Sequence, residues 1–442
     1  MTNRIPAPTS ATTVAGAQPW LSARRWFSAA LMASLLMLLA SGLDAQTGQS
    51  ALTLDRARAL ARRVSHELAA ARAAVEVAVG RETQASAFPN PVLSYSREQA
   101  SRGGVTSAQD IALIEQRLEI GGQAGRRVAA ARLRRQAAQA DLAAAEASLD
   151  LEVARVFAAV LAGDRRARVA SAAAEHFERA KRVMGERLAA GDVSGYAARR
   201  VRLEAARYVA LAAQAELEAR SQRLRLATLL GASADTSPER VDHVAALAAI
   251  RDITPDSIEA LVVRNHGELF ALRLAADAGR ADAQLARRER FPTPIAAAGY
   301  KNERAPGGTG SLGGFVASLS FALPIFDRRS GSIESADAQA NRLIAEAEAA
   351  RVRVIREART ALEAARQTQA RIAVLQAELG EEAEAALGAA ETAFAEGEIT
   401  LIEWLDAVRA YHEAESAYAS VIAESIIQCA TLERLLGLAL IR

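Results

Sequence analysis

Apolar positions follow a helical spacing over most of this chain and a different spacing in short stretches. The clearest such stretch runs from Gly314 to Leu323. Phe315, Ala317, Leu319, Phe321 and Leu323 share one face there. The smaller or more polar Val316, Ser318, Ser320 and Ala322 share the other. Strict alternation is the signature of a strand with unlike faces. It predicts a hairpin with residues 295–302 across the Gly-rich segment Pro306-Gly307-Gly308-Thr309-Gly310. Residues 92–98 and 109–118 take the same places earlier in the chain, across Arg102-Gly103-Gly104. The alternation is weaker there, since Gln116 stands where Phe321 does.

Around each hairpin the pattern is helical. A helix of about 35 residues begins at a Thr N-cap, Thr53 or Thr254, with Pro255 suited to the first helical position. It ends at Phe88-Pro89-Asn90-Pro91 or Phe291-Pro292-Thr293-Pro294, because proline biases its predecessor away from the α region. After the hairpin come very long runs, residues 126–190 and 331–396. At ~1.5 Å per residue each reaches roughly 95 Å. A glycine turn at Gly191 or Gly397 follows, then a return helix to Gly231 or Gly437.

The chain is therefore written twice. Leu52-Thr53-Leu54-Asp55 and Ile253-Thr254-Pro255-Asp256 stand 201 residues apart, and the Phe-Pro-x-Pro stops 203 apart. Leu118-Glu119-Ile120 and Leu323-Pro324-Ile325 differ by 205, and both the glycine turns and the Leu-Gly ends by 206. Landmarks that keep their order and nearly their spacing indicate an internal duplication. The expected organisation is a signal peptide over 1–45, a first repeat over 46–231, and a linker over 232–253. A second repeat over 254–437 and a short tail over 438–442 complete it.

The signal is read from Arg24-Arg25, the apolar run that follows, and the small Ala45 at the expected cut. A membrane anchor is the alternative, although its strongly apolar core is shorter than the ~20 residues a span needs. The single Cys429 allows no internal disulfide framework and reads as a small buried residue. Aromatics are 4% of the 442 residues, too few to fill a wide core. Ala with Glu, Arg, Leu and Gln suits long helices packed through small side chains. The net charge of +2, with acids and bases mixed, argues against a nucleic-acid partner.

No segment beyond the signal resembles a transmembrane helix. A membrane crossing must then be a β-barrel, because lipid leaves a backbone no other way to satisfy its polar groups. Four strands cannot close a barrel alone, whereas three copies give about 12, above the minimum of ~8. Phe88, Tyr95, Phe291, Tyr300, Phe315, Phe321 and Phe326 lie in or beside the short segments, as an interfacial aromatic girdle requires. An ordinary hairpin packed on a helical body is the alternative. The predicted fold class is mainly α with a small β part. Duplicated long-helix hairpins form an α-barrel, and four strands per chain contribute to a trimeric transmembrane β-barrel.

The duplicated plan of helix, hairpin, long helix, glycine turn and return helix resembles the TolC family of outer-membrane efflux ducts over about residues 52–437. Phe88-Pro89-Asn90-Pro91, Leu118-Glu119-Ile120-Gly121-Gly122 and Arg126-Arg127-Val128-Ala129-Ala130-Ala131 look most like its cobalt–zinc–cadmium branch. The resemblance implies a homotrimer in outer-membrane lipid with a large periplasmic part. It also implies a periplasmic membrane-fusion adaptor and an inner-membrane pump of the resistance–nodulation–division (RND) class. A drug-efflux or type I secretion duct is the alternative within the family, and a soluble periplasmic coiled-coil scaffold or adaptor the alternative outside it.

The family's gate lies just past the second glycine turn. Glu403 and Asp406 match its constriction carboxylates, and their i, i+3 spacing puts them on one helix face. An acidic ring in a pore favours cations. A solvated helix face is the plain alternative. Ile399 stands where the family often carries a basic residue, which leaves the gate's partners open; Arg199 and Arg200 are candidates. The tips Gly191-Asp192-Val193-Ser194 and Gly397-Glu398-Ile399-Thr400 resemble the hairpin ends that meet the adaptor. Phe315, Ala317, Leu319, Phe321 and Leu323 are the expected lipid-facing strand. No catalytic constellation, cofactor motif or metal-ligand spacing appears: His66, His176, His243, His266 and His412 are scattered.

Overall fold

The computed structural model describes residues 52–231, 250, 252–304, 310–379 and 381–440, with side chains at 377–383 left aside. The expected signal peptide, most of the linker, and Pro306 to Thr309 lie outside the described residues.

The first helical stretch is two helices, α1 (Leu54–Val64) and α2 (His66–Ser86). Thr53 caps the first as expected. The expected single helix is interrupted at Ser65, whose amide donates to the Ala61 carbonyl and whose hydroxyl accepts the Leu68 amide at 3.2 Å. One residue thus ends one helix and starts the next. Strand β1 (Val92–Arg102) and β2 (Val105–Arg117) follow. They join through Gly103 and Gly104, both at positive φ (59° and 82°), the pairing a tight hairpin turn demands. Helix α3 (Gln123–Ala190) is 68 residues long, about 100 Å. Helix α4 (Gly195–Leu230) returns and is capped by Gly231 at φ 88°.

The second half repeats this order. Helices α5 (Ser257–Asn265) and α6 (Gly267–Arg288) meet at His266. The expected N-cap at Thr254 is displaced: Asp256 occupies the cap, and Thr254 closes a turn onto the Ser257 amide. Strands β3 (Ile295–Arg304) and β4 (Ser311–Ser320) lead to α7 (Ser330–Leu379) and α8 (Glu381–Glu396). Helix α9 (Leu401–Leu436) ends at Gly437, φ 62°.

All four strands form one antiparallel sheet in the order β1-β2-β3-β4. The two hairpins are joined through β2 and β3, from Ala108↔Arg304 to Arg117↔Ile295. Strand β4 stops at Ser320, opposite Ile295. Phe321 and Leu323, expected within it, lie beyond it: the partner strand begins only after Pro294, which has no N–H to offer.

Small side chains let the helices approach closely. A Cβ on Gly163 of α3 would stand 3.3 Å from the Ala219 Cα of α4. Two cores result. One gathers Leu151, Phe157, Leu226, Ile258, Leu269, Val354, Ile426 and Leu432. The other, near the glycine turns, gathers Phe177, Met184, Val201, Tyr208, Trp404, Leu405 and Val408. Phe177 stacks on Tyr208 at 4.5 Å and meets Trp404 edge-on at 5.2 Å, so aromatic contact ties α3, α4 and α9 together.

Candidate channel wall and periplasmic constriction

Cross-strand register decides which side chains share a sheet face. One row reads Leu93–Ile114–Ala298–Ala317 and the next Tyr95–Ala112–Tyr300–Phe315. Leu319 stands opposite Ala296 on the same face. Above the aromatic row comes Arg97–Asp110–Asn302–Gly313, where Asp110 accepts the Tyr95 hydroxyl at 2.7 Å. This face is apolar in a band and polar above it. The opposite face is mixed, with Ser94, Ser96, Glu98, Gln109, Glu115, Lys301, Glu303 and Ser318. The apolar face is uncovered in the protomer: Phe315 is 77% exposed, and Leu93, Tyr95, Ile114, Tyr300, Ala317 and Leu319 are exposed too.

The strands are 10 to 13 residues long. At ~3.3 Å per residue and a tilt near 45° they span roughly 23–30 Å, the height of a bilayer's apolar band. Among the described residues, strands β1 and β4 each keep one edge without a partner strand. Such an edge must be covered or paired in lipid. Among the described residues no helix is long and apolar enough to cross a membrane.

At the other end, both glycine turns have one geometry. Gly191 (φ 84°) and Gly397 (φ 82°) end α3 and α8 in the left-handed region, where glycine carries no Cβ penalty. The Asp192 amide donates to the Arg187 carbonyl at 2.9 Å and the Glu398 amide to the Ala393 carbonyl at 2.8 Å. Ser194 and Thr400 then cap the return helices. Val193 and Ile399 tuck against the aromatic core, while Gly191, Asp192, Ser194, Gly397, Glu398 and Thr400 are exposed.

Glu403 and Asp406 project from the first turns of α9 on its exposed side, opposite buried Trp404, Leu405 and Val408. Glu403 also closes a capping box with Thr400. The Thr400 amide and hydroxyl hold its carboxyl below the usual carboxylate range. Asp406 has Arg409 as its nearest cation, at 3.9 Å. Arg199 and Arg200, expected as gate partners, make no ion pair with either acid in the protomer among the described residues. The charge pair that does link the return helices is Glu204 of α4 with Arg409 of α9, with Arg207 3.6 Å from the same carboxylate. Glu204 is 9% exposed. The sequence held a signal for it: Glu204 interrupts the buried stripe Ala198, Val201, Ala205, Tyr208 at helical spacing. His412 meets Tyr208 edge-on at 5.6 Å, and burial pushes its imidazole pKa down.

Among the described residues no group of three or more His, Cys, Asp or Glu has metal-holding geometry. Burial pushes the Cys429 thiol up to about 12.

Residues 260–438 match the family model described as outer membrane efflux protein. The cobalt-zinc-cadmium resistance protein CzcC of Cupriavidus metallidurans is 27% identical over 386 residues, covering 87% of this chain and 90% of that one. A solved membrane protein from Pseudomonas aeruginosa superposes with a TM-score of 0.72 at 20% identity, over 88% of this chain and 91% of its own. The outer membrane protein VceC of Vibrio cholerae superposes with a TM-score of 0.68 at 18% identity, over 87% and 96%. The two structural likenesses establish the fold.

Proposed function

We propose that this chain, an outer membrane efflux protein of the TolC type, is the exit duct of a tripartite RND system that ejects heavy-metal cations. It resides in the outer membrane with a large periplasmic part. The observation that carries the duct reading is the four-stranded sheet. Its aromatic, aliphatic face is bare in the protomer and two of its edges are open. Three copies joined edge to edge, β4 of one to β1 of the next, form a closed wall of about 12 strands with that face toward lipid. Phe315, Ala317 and Leu319 belong to this lipid-facing surface, and the mixed face lines the lumen.

The long helices carry the passage into the periplasm. Glu403 and Asp406, repeated around the threefold axis, form an acidic ring at its far end that draws cations in and disfavours anions. The exposed tips at Gly191-Asp192 and Gly397-Glu398 are the docking points for a periplasmic adaptor, which joins the duct to an inner-membrane RND pump. Metal export is supported by the likeness to the cobalt-zinc-cadmium resistance protein. The metal is cargo, and the duct needs only a hydrated, charge-matched path for it.

Deleting the gene in its native host tests this. Sensitivity to zinc, cobalt and cadmium is expected to rise and to be restored by the intact gene. Unchanged metal tolerance, with sensitivity to organic drugs instead, would reassign the cargo.

A further inference from the structure

We infer that the segment from Phe321 to Arg329, where the sheet passes into α7, is an interfacial anchor that recognises anionic phospholipid headgroups in the periplasmic leaflet. This rests on the duct reading and adds a partner to it. The sheet's outward apolar band continues past Ser320 into Leu323, Ile325 and Phe326, all exposed. Phe326 is 98% exposed, an unusual state for phenylalanine in a segment held on both sides. Phe291, four residues before β3, is exposed at the same end of the sheet.

Cations neighbour these rings in sequence. Arg328 follows Phe326 by two residues and Arg290 precedes Phe291. Both are exposed, and neither makes an ion pair among the described residues. Aromatic rings with arginines just outside them match the order of a bilayer interface, acyl boundary first and phosphate next.

The segment is fixed rather than loose. Asp327 accepts the Arg329 amide at 2.8 Å, Arg329 adopts φ 54°, and its guanidinium binds Glu289 at the end of α6 at 2.5 Å. The paralogous segment of the first repeat is built differently. There Glu119 takes Arg127 in a two-pronged pair at 2.8 and 3.0 Å, which keeps the cation within the protein. Pro324 stands where Glu119 does; in the second segment Glu289 engages Arg329, while Arg290 and Arg328 make no ion pair among the described residues and can meet an external anion.

Phe326→Trp, in protein extracted from the outer membrane and returned to vesicles, reads the anchor directly. Trp404, buried in the aromatic core by the glycine turns, supplies the background, together with Trp20 and Trp26 where the N-terminal segment is retained; it is measured in the parent protein. Brominated phosphatidylglycerol is expected to quench the new indole about fivefold more effectively than brominated phosphatidylcholine. Adding Arg290→Gln and Arg328→Gln is expected to bring the two lipids to parity. Equal quenching with both arginines present would overturn headgroup recognition. No quenching by either lipid, in protein that floats with the vesicles, would overturn the anchor and assign the segment to a contact between copies. Failure to float with vesicles at all would defeat the duct reading, and the anchor with it.

Discussion

The Glu403 carboxylate accepts the Thr400 amide at 2.7 Å, while the Thr400 hydroxyl accepts the Glu403 amide at 3.3 Å. The residue proposed for the acidic ring therefore also starts the helix that carries the ring. The two roles separate by substitution. Glu403→Gln keeps an acceptor for Thr400 and removes the charge. Glu403→Ala removes both and weakens the helix start. Asp406, 69% exposed at its side chain, takes no part in the cap; its contact is Arg409 at 3.9 Å. Asp406→Asn with Glu403→Gln is expected to lower cation-over-anion permeability in planar bilayers with only a small fall in melting temperature, from the weakened cap. Unaltered selectivity would assign both acids to a solvated helix face. The Glu403 carboxyl is depressed, so its capping contribution is present above the unfolded value near 4.3 and is lost as pH falls through the lower folded value.

The Glu204–Arg409 pair makes a different prediction. Removing one partner of a buried pair strands the other charge. Glu204→Gln or Arg409→Met is expected to destabilise the contact between α4 and α9 by about 2 kcal/mol, less than a fully enclosed pair because the Arg409 side chain is 30% exposed. The double variant should lose less than the sum of the two. Melting of the detergent-extracted protein measures this, and additive losses would contradict direct coupling.

Much of this architecture was legible in the sequence, and the gaps have physical causes. The alternation around Phe315 and the paired glycines at 103 and 104 announce hairpins because period and turn chemistry are local. The strand's end is not local. Alternation runs on through Leu323, but the ladder stops where Pro294 denies β3 another residue. The helix break at Ser65 lacks the proline or glycine that usually marks one; at His266 only Gly267 marks it, and His266 is an unusual cap. The α4–α9 charge pair joins residues 205 apart in sequence, beyond any periodicity. Only the oddity of Glu204 on an apolar stripe hints at it.

Glycine at 299 is required by the sheet itself. A Cβ there would lie 1.9 Å from the Ala112 carbonyl oxygen and 2.8 Å from the Leu113 Cα, both backbone atoms of the adjacent strand. At Gly313 the obstacle is the Tyr300 hydroxyl at 1.7 Å, the movable end of a side chain. Gly299→Val is therefore expected to abolish assembly in the outer membrane, and Gly313→Ala to be tolerated with a shifted tyrosine. Outer-membrane yield of the two variants checks this, and equal yields would contradict the register.

His266 is 3% exposed, and its Nδ1 accepts the Leu269 amide at 3.2 Å, which requires the unprotonated nitrogen. Burial is the main force holding its pKa below 6.5; Arg434 and Arg353 add to it, and Glu268 and Glu357 oppose it. The unfolded chain binds the proton more readily, so stability is full above pH ~6.5 and declines as pH falls from there toward the lower folded value. His266→Ser, copying Ser65 of the first repeat, is expected to cap the helix at every pH and to flatten the change in melting temperature between pH 7 and 5. A decline as steep as the parent's would remove His266 as its source.

Edge pairing between copies is open to a direct chemical test. Within one protomer β1 and β4 are separated by β2 and β3, roughly 14 Å across. That exceeds the ~7 Å Cα limit for a disulfide, so any bond between these strands must join two copies. Cysteines introduced at Tyr95 or Ser96 of β1 with Phe315 or Val316 of β4, in a Cys429→Ala background, sample neighbouring registers of that junction. Oxidation in outer membranes is expected to give covalent dimers and trimers in at least one combination. Monomer in every combination, from protein that fractionates with the outer membrane, would contradict a wall closed by three copies.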